Sequence, residues 1–341
     1  MSPPGAGPLL VRLPNWLGDL VLAWPVLDAA AREPVLFVGP AAFESIVIAR
    51  HPRARYLAWS RSARFALAGP LRRERPRAAL LLTESFSSAV LVFLAGIPER
   101  IGYAAEGRGL LLTRRVARAA PARSTPRTAE YRALARAARL VVEEGSPTLA
   151  ATDAERLSAI DLFARSGISG VSGAPGAEGY VVVAPGAAYG PAKQWGGVRF
   201  GEAAAAIAVP RGRLVVAVGS VADRAASAEA LKAAGAAGAT TFDATGATDI
   251  PALIGLLGGA SLVFTNDSGV MHLAAALGRP TVAIFGSTSP VWTSASAPWV
   301  ENLYAAYPCS PCFRRTCPIG YGCLHALTPS RAIEAASRLL G

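Results

Sequence analysis

A chain of 341 residues exceeds one ordinary core and fits two domains of about 150–180 residues each. Hydrophobic side chains make up 52% of it and charged ones 17%, which excludes a disordered or fibrous chain, and no apolar run reaches the roughly 18 residues needed to span a bilayer. The net charge of +11 is uneven: residues 1–173 hold 23 basic against 14 acidic side chains, and residues 174–341 hold 11 against 9. Such a basic half suits an anionic partner (nucleic acid, a membrane surface or an acidic glycolipid) or serves as solubilising charge alone. Residues 1–8 place no basic side chain ahead of the apolar Leu9-Leu10-Val11, so a secretory signal is not expected and a cytoplasmic location is.

In chain order, short apolar runs predict strands at 9–13, 35–38, 56–59 and 79–83. Helices are predicted between them at 19–32, 41–50, 61–75 and 86–95, with a longer one at 128–144. The stretch 166–179, SGISGVSGAPGAEG, has too much Gly and Ser for an element interior and reads as a linker. A second series follows, with strands at 180–184, 214–218, 240–242, 262–265 and 281–285. Its helices are expected at 198–208, 222–234, 250–257 and 269–277, and a last one at 330–340. Alternating strands and helices imply an α/β fold with parallel sheets, divided into domains 1–173 and 174–341. Ligands in such sheets bind beyond the carboxyl ends of the strands.

Four segments at such positions carry polar chemistry. After the first strand comes Pro14-Asn15-Trp16-Leu17-Gly18-Asp19, where Gly18 permits close backbone approach. Asp19 fits a helix cap or a general base, and the cap is the commoner use. After the 180–184 strand comes Pro185-Gly186-Ala187 running to Gly190-Pro191-Ala192-Lys193-Gln194-Trp195. It lacks the Walker spacing, yet offers backbone N–H groups and one cation; the plain alternative is a mobile surface loop. Only Lys193 and Lys232 among the 34 basic residues are lysines. An ammonium kept in a Gly/Pro loop suits a phosphate as a point charge. The third segment, Thr265-Asn266-Asp267-Ser268-Gly269-Val270-Met271-His272, ends a strand and opens a helix whose N-terminus suits a diphosphate. His272 shares a helix side with Ser268 at i, i+4 spacing. The fourth is Cys309-x2-Cys312-x4-Cys317-x5-Cys323, which holds every cysteine of the chain. It leaves metal binding, plain thiols and disulfides open.

Together these segments resemble the bacterial lipopolysaccharide heptosyltransferases over most of the chain. Phe285-Gly286-Ser287-Thr288-Ser289-Pro290, Arg279-Pro280 and Gly96-Ile97-Pro98-Glu99-Arg100-Ile101-Gly102 add to the match. The resemblance implies the GT-B fold, two facing Rossmann-like domains with a central cleft, acceptor mainly on the first and donor on the second. It implies a last helix that crosses back onto the first domain. It further implies an inverting glycosyltransferase, with no cofactor and no metal in the chemistry. Heptose would pass from ADP-heptose to the first heptose of the lipopolysaccharide inner core, at the inner face of the cytoplasmic membrane. Asp19 then resembles the catalytic base and Lys193 the cation at the donor diphosphate. Gly18, Gly186, Asp267, Ser268, Gly269 and His272 resemble the donor pocket. Arg61, Arg64, Arg72, Arg73, Arg75, Arg114, Arg115 and Arg118 become candidate contacts to the polyanionic acceptor. A different acceptor, either that of the first heptosyltransferase or another surface glycan, fits the same motifs. A nucleotide- or nucleic-acid-binding protein is the non-enzyme alternative, and nucleic acid is not the expected partner because the basic residues lack interleaved aromatics.

Overall fold

The computed structural model describes residues 7–62, 65–168 and 179–341. The first unit is built on six strands: β1 (Leu9–Arg12), β2 (Val35–Pro40), β3 (Arg55–Trp59), β4 (Ala78–Leu81), β5 (Glu99–Tyr103) and β6 (Arg114–Val116). The second has β7 (Tyr180–Ala184), β8 (Val215–Ala217), β9 (Thr241–Asp243), β10 (Ala260–Asn266), β11 (Thr281–Phe285) and β12 (Val300–Tyr304). The sheet orders are β3-β2-β1-β4-β5-β6 and β12-β11-β10-β7-β8-β9, and every pairing is parallel. Both units thus share one doubly wound topology. In each, the strand order reverses beside the first strand, between β1 and β4 and between β7 and β10. This is where such sheets open a crevice for ligands.

The central strands β1, β4, β7 and β11 are buried along their whole length, because helices cover both faces of a parallel sheet. That burial is why they read as continuous apolar runs. β5, β6 and β12 (ERIGY, RRV and VENLY) were not expected. They lie toward the outer sides of their sheets, where charge is tolerated and the apolar signal is lost. In the first unit, Leu10, Leu36, Val38, Ala79 and Leu81 pack against Ala89 and Val92 of the helix Phe86–Leu94. In the second, Val181, Val183, Phe264 and Ile284 meet Phe200, Ala204 and Ala230.

The two compact units divide between Pro147 and Thr148, upstream of the expected division at 173/174. The cause is a helix the sequence reading left out, Asp153–Arg165. It opens with a capping box in which Thr152 Oγ1 accepts the Glu155 N–H and the Glu155 carboxylate accepts the Thr152 N–H. It packs on the helix Ile250–Gly259 so closely that a Cβ on Gly255 would lie 1.9 Å from the Glu155 carbonyl oxygen. Phe163 joins the same core, with ring centroids 5.1 Å from Tyr180 and 5.3 Å from Phe242. Most of the expected linker, residues 169–178, lies outside the described residues. The terminal helix, Pro329–Leu340, was expected to return to the first domain. Its buried Ala332, Ala335 and Ala336 belong to the second unit's core, since alanine lets it lie close to the helix Gly197–Ala208.

Candidate active site

In the first unit the loop after β1 is anchored by a buried arginine. The Arg12 guanidinium lies 4.1 Å over the Trp59 ring, donates to Asn15 Oδ1 at 2.7 Å and bonds the Leu13 carbonyl. Burial pulls its pKa down to about 10. The helix Leu17–Leu22 then begins, with Trp16 at its N-cap and no side-chain cap bond. Asp19 is therefore not the cap. It sits in the first turn, and its Oδ1 accepts the Tyr131 hydroxyl at 3.2 Å and lies 3.5 Å from Arg127 Nε. Both partners come from the helix Arg127–Ala137. Burial, reinforced by the Asp19 charge, raises the Tyr131 pKa well above the ordinary phenol value, so Tyr131 stays protonated and serves as a donor.

Arg127 is shared by three carboxylates. Its Nη1 lies 2.7 Å from Glu84 Oε1 and 2.6 Å from Glu130 Oε2, and Arg118 bridges the same two glutamates. Glu84 follows β4, so the loops leaving β1 and β4 meet on one guanidinium at the switch point. Burial works to raise the Glu84 pKa, but hydrogen bonds from Arg118 and Arg127 hold it below the ordinary carboxylate range. The sign follows: this stabilisation is complete above the unfolded carboxylate pKa and is lost as pH falls through the lower folded value. Glu84→Gln is expected to lower stability by about 1–3 kcal/mol at neutral pH. Below the folded pKa the difference vanishes. Urea unfolding at pH 7 and pH 3 checks this, and equal losses at both would contradict it.

In the second unit the Gly/Pro loop after β7 is anchored by hydrogen bonds at both ends. Asn266, buried at the end of β10, donates from Nδ2 to the Pro185 carbonyl at 2.8 Å and accepts the Trp195 N–H at 3.1 Å. Trp195 is itself buried, its Nε1 donating to the Leu327 carbonyl at 2.7 Å. Between these anchors, Lys193 Nζ reaches Asp267 Oδ2 at 2.6 Å and the Asp267 carbonyl at 3.2 Å. Asp267 is only 4% exposed. Its Oδ2 also accepts the hydroxyls of Thr288, at 2.6 Å, and Thr293, at 3.2 Å.

Ser268 follows as the N-cap of the helix Gly269–Ala276 with no side-chain cap bond, and His272 is buried within that helix. The Ser268 hydroxyl lies 3.1 Å from Thr265 Oγ1. A lysine ammonium is thus fixed one residue ahead of a helix N-terminus whose first N–H groups have no intrahelical acceptor. Gly186 lies so close to Asp223 that a Cβ would stand 2.1 Å from its carboxylate oxygen. The structure therefore brings Gly186, Lys193, Asp267, Ser268, Gly269 and His272 to one switch point, and Gly18 and Asp19 to the other.

The cysteine segment braces the Lys193 loop. The Arg315 carbonyl accepts the Ala192 N–H at 3.0 Å, Arg315 Nε donates to the Tyr189 carbonyl at 2.7 Å, and the Tyr189 hydroxyl bonds the Phe313 carbonyl. Gly190, at φ +142°, has no room for a side chain, because a Cβ would lie 2.7 Å from the Arg315 oxygen. The four cysteines form no disulfide, and Cys317 Sγ accepts the Tyr321 N–H at 3.3 Å. No group of three or more His, Cys, Asp or Glu suited to a metal ion occurs among the described residues. Of the candidate acceptor arginines, Arg61, Arg72, Arg73, Arg75 and Arg115 are exposed. Arg118 serves the glutamate network, Arg114 pairs with Glu99 at 2.8 Å, and Arg64 lies outside the described residues.

Residues 64–321 match the family described as glycosyltransferase family 9 (heptosyltransferase). The chain belongs to that family. This family 9 glycosyltransferase is 31% identical over 306 residues to lipopolysaccharide heptosyltransferase 2 of Escherichia coli (strain K12), with 84% of each chain covered. It is 28% identical over 290 residues to lipooligosaccharide heptosyltransferase 2 of Haemophilus influenzae, covering 83% of this chain and 75% of that one. The solved structure of E. coli ADP-heptose LPS heptosyltransferase II superposes with a TM-score of 0.78 at 28% identity, covering 98% of both chains. The expected fold is thereby established: two parallel-sheet α/β domains of the GT-B class. The enzyme is a glycosyltransferase of the heptosyltransferase family.

The functional partners that sequence reasoning missed are Glu84, Arg127, Glu130, Tyr131 and Thr293. Arg127 and Tyr131 carried a weak signal, an arginine and a tyrosine at i, i+4 on a helix otherwise rich in alanine.

Proposed function

We propose that the enzyme transfers heptose from ADP-heptose to the first heptose of the lipopolysaccharide inner core, by a single inverting displacement. The observation that carries this reading is the Lys193 ammonium held by Asp267 at the opening of the Gly269–Ala276 helix, in a chain of this family. An ammonium has three protons. Two are met by Asp267 Oδ2 and the Asp267 carbonyl, the Tyr189 ring centroid lies 5.0 Å from the nitrogen, and the third proton would meet a diphosphate oxygen in place of that ring. As the bond to the sugar breaks, negative charge grows on the departing ADP, and Lys193 with the helix N–H groups stabilises it.

Asp19 takes the proton of the attacking acceptor hydroxyl. Its two contacts among the described residues both fall on Oδ1, so Oδ2 retains its lone pairs for that proton. Arg127 and Tyr131 hold the carboxylate in place. The acceptor is lipid-borne and polyanionic, so the enzyme works at the inner face of the cytoplasmic membrane with the exposed arginines of its first unit meeting acceptor phosphates. No helix among the described residues is long and apolar enough to cross a membrane.

A transfer assay tests this directly. ADP-heptose with an inner-core acceptor bearing one heptose is expected to give product. An acceptor bearing none is expected to give little. Preference for the heptose-free acceptor would reassign the enzyme to the preceding transfer.

A further inference from the structure

The helix Phe86–Leu94 (FSSAVLVFL) contains no charged residue. One side buries Ser88, Ala89, Leu91 and Val92 against the sheet. The opposite side shows Phe86, Phe93 and Leu94, which are 49%, 50% and 44% exposed, with the half-buried Val90 between them. Positions 86, 90, 93 and 94 form one stripe at helical spacing. A helix on a protein surface ordinarily turns polar residues outward, and one that is apolar on both sides needs a second apolar neighbour. The short turn Arg108–Leu111 packs on this helix and carries Leu110, which is 87% exposed.

Positive charge gathers at the Phe93 end. The Arg100 guanidinium lies 5.4 Å over the Phe93 ring and donates to the carbonyls of Ile97 and Leu111, each at 2.6 Å. Arg72 Nη2 donates to the Leu94 carbonyl at 2.6 Å. Among the described residues neither arginine is paired with a carboxylate, so their charge is uncompensated, and Arg73 is exposed next to Arg72. At the Phe86 end Glu106 accepts the Phe86 N–H at 3.3 Å, so the stripe is polarised along its length.

We propose that this face docks the first unit on an anionic lipid surface. Phe93, Leu94 and Leu110 enter the boundary between headgroups and acyl chains, while Arg72, Arg73 and Arg100 meet lipid phosphates. The Phe86 end, beside Glu106, stays further from the surface. Large apolar side chains with cations around them are what an interfacial anchor requires, because burial supplies affinity and charge selects anionic lipid. The inference rests on the heptose-transfer reading only in that the acceptor of that reaction is carried by a lipid.

Vesicle co-sedimentation tests it, using phosphatidylcholine with and without phosphatidylglycerol. The parent is expected to bind the phosphatidylglycerol vesicles, and less strongly as salt rises. The double variant Phe93→Ser/Leu94→Ser should lower the partition coefficient about tenfold or more. Arg72→Glu/Arg73→Glu should abolish the preference for phosphatidylglycerol, and it keeps the test decisive if the serine variant unfolds. The serine variant should transfer heptose to a delipidated, water-soluble acceptor at the parental rate. Vesicle binding by either variant equal to the parent's would overturn the proposal. So would light scattering that shows a parental dimer broken by the serine substitutions with vesicle binding unchanged. Failure of the parent to use the water-soluble acceptor counts instead against the heptose-transfer reading.

Discussion

Asp19→Ala is expected to abolish measurable transfer while ADP-heptose binding stays near the parental value. A general base contributes about 10²–10⁴-fold to rate, and Asp19 also organises its surroundings. Removing its carboxylate leaves Arg127 with Glu84 and Glu130 still beside it, so the arginine is not orphaned and the fold should hold. The Tyr131 hydroxyl loses its acceptor, at a cost of about 1–3 kcal/mol. Asp19→Asn keeps that acceptor and the shape but removes the basic oxygen. It should therefore match the parent in thermal stability and match the alanine variant in lost turnover. Calorimetric titration with ADP-heptose separates binding from chemistry. An asparagine variant that retained most of its kcat would sink the assignment of Asp19 as base.

The second large effect is expected at Lys193. Removing one group that stabilises developing charge commonly costs about 10²–10³-fold in rate, or about 3–4 kcal/mol. Lys193→Met alone is ambiguous, because it strands the Asp267 carboxylate, 4% exposed, with only the Thr288 and Thr293 hydroxyls. Breaking one side of a buried pair costs about 3–5 kcal/mol of stability. Lys193→Met/Asp267→Asn removes both charges. The double variant is expected to recover most of the lost stability and none of the lost turnover, which separates the two roles of the lysine. Recovery of both in parallel would mean that Lys193 matters only as the partner of Asp267.

These two residues differ in how visible they were. Lys193 stood out because lysine is nearly absent from a chain rich in arginine, and its loop followed an evident strand. Asp267, two residues ahead of a glycine that opens a helix, read as part of a phosphate site. That its carboxylate faces Lys193, with Thr288 and Thr293 completing its shell, was not legible. Those hydroxyls lie 21 and 26 residues further along the chain, and nothing local marks them as partners. Asp19 was ambiguous for a related reason. A lone Asp near a helix start fits a cap by local chemistry, and only Tyr131, 112 residues away, shows where its oxygen points.

Local sequence determined the alternation of strand and helix, the central buried strands, the glycines at the strand-to-helix turns and the order of the motifs. Each depends on side-chain periodicity or backbone freedom over a few residues. The tertiary structure alone decided which loops meet. The reversal of strand order beside β1 and β7 draws the β4 and β10 loops next to theirs, so Glu84 shares Arg127 with Asp19, and Asp267 takes Lys193. It also moved the division between units to Pro147, because the Asp153–Arg165 helix finds its apolar partner in Ile250–Gly259 and not in the sheet that precedes it. Burial of a helix face depends on what the whole chain places opposite it, and that partner is not written in the helix itself.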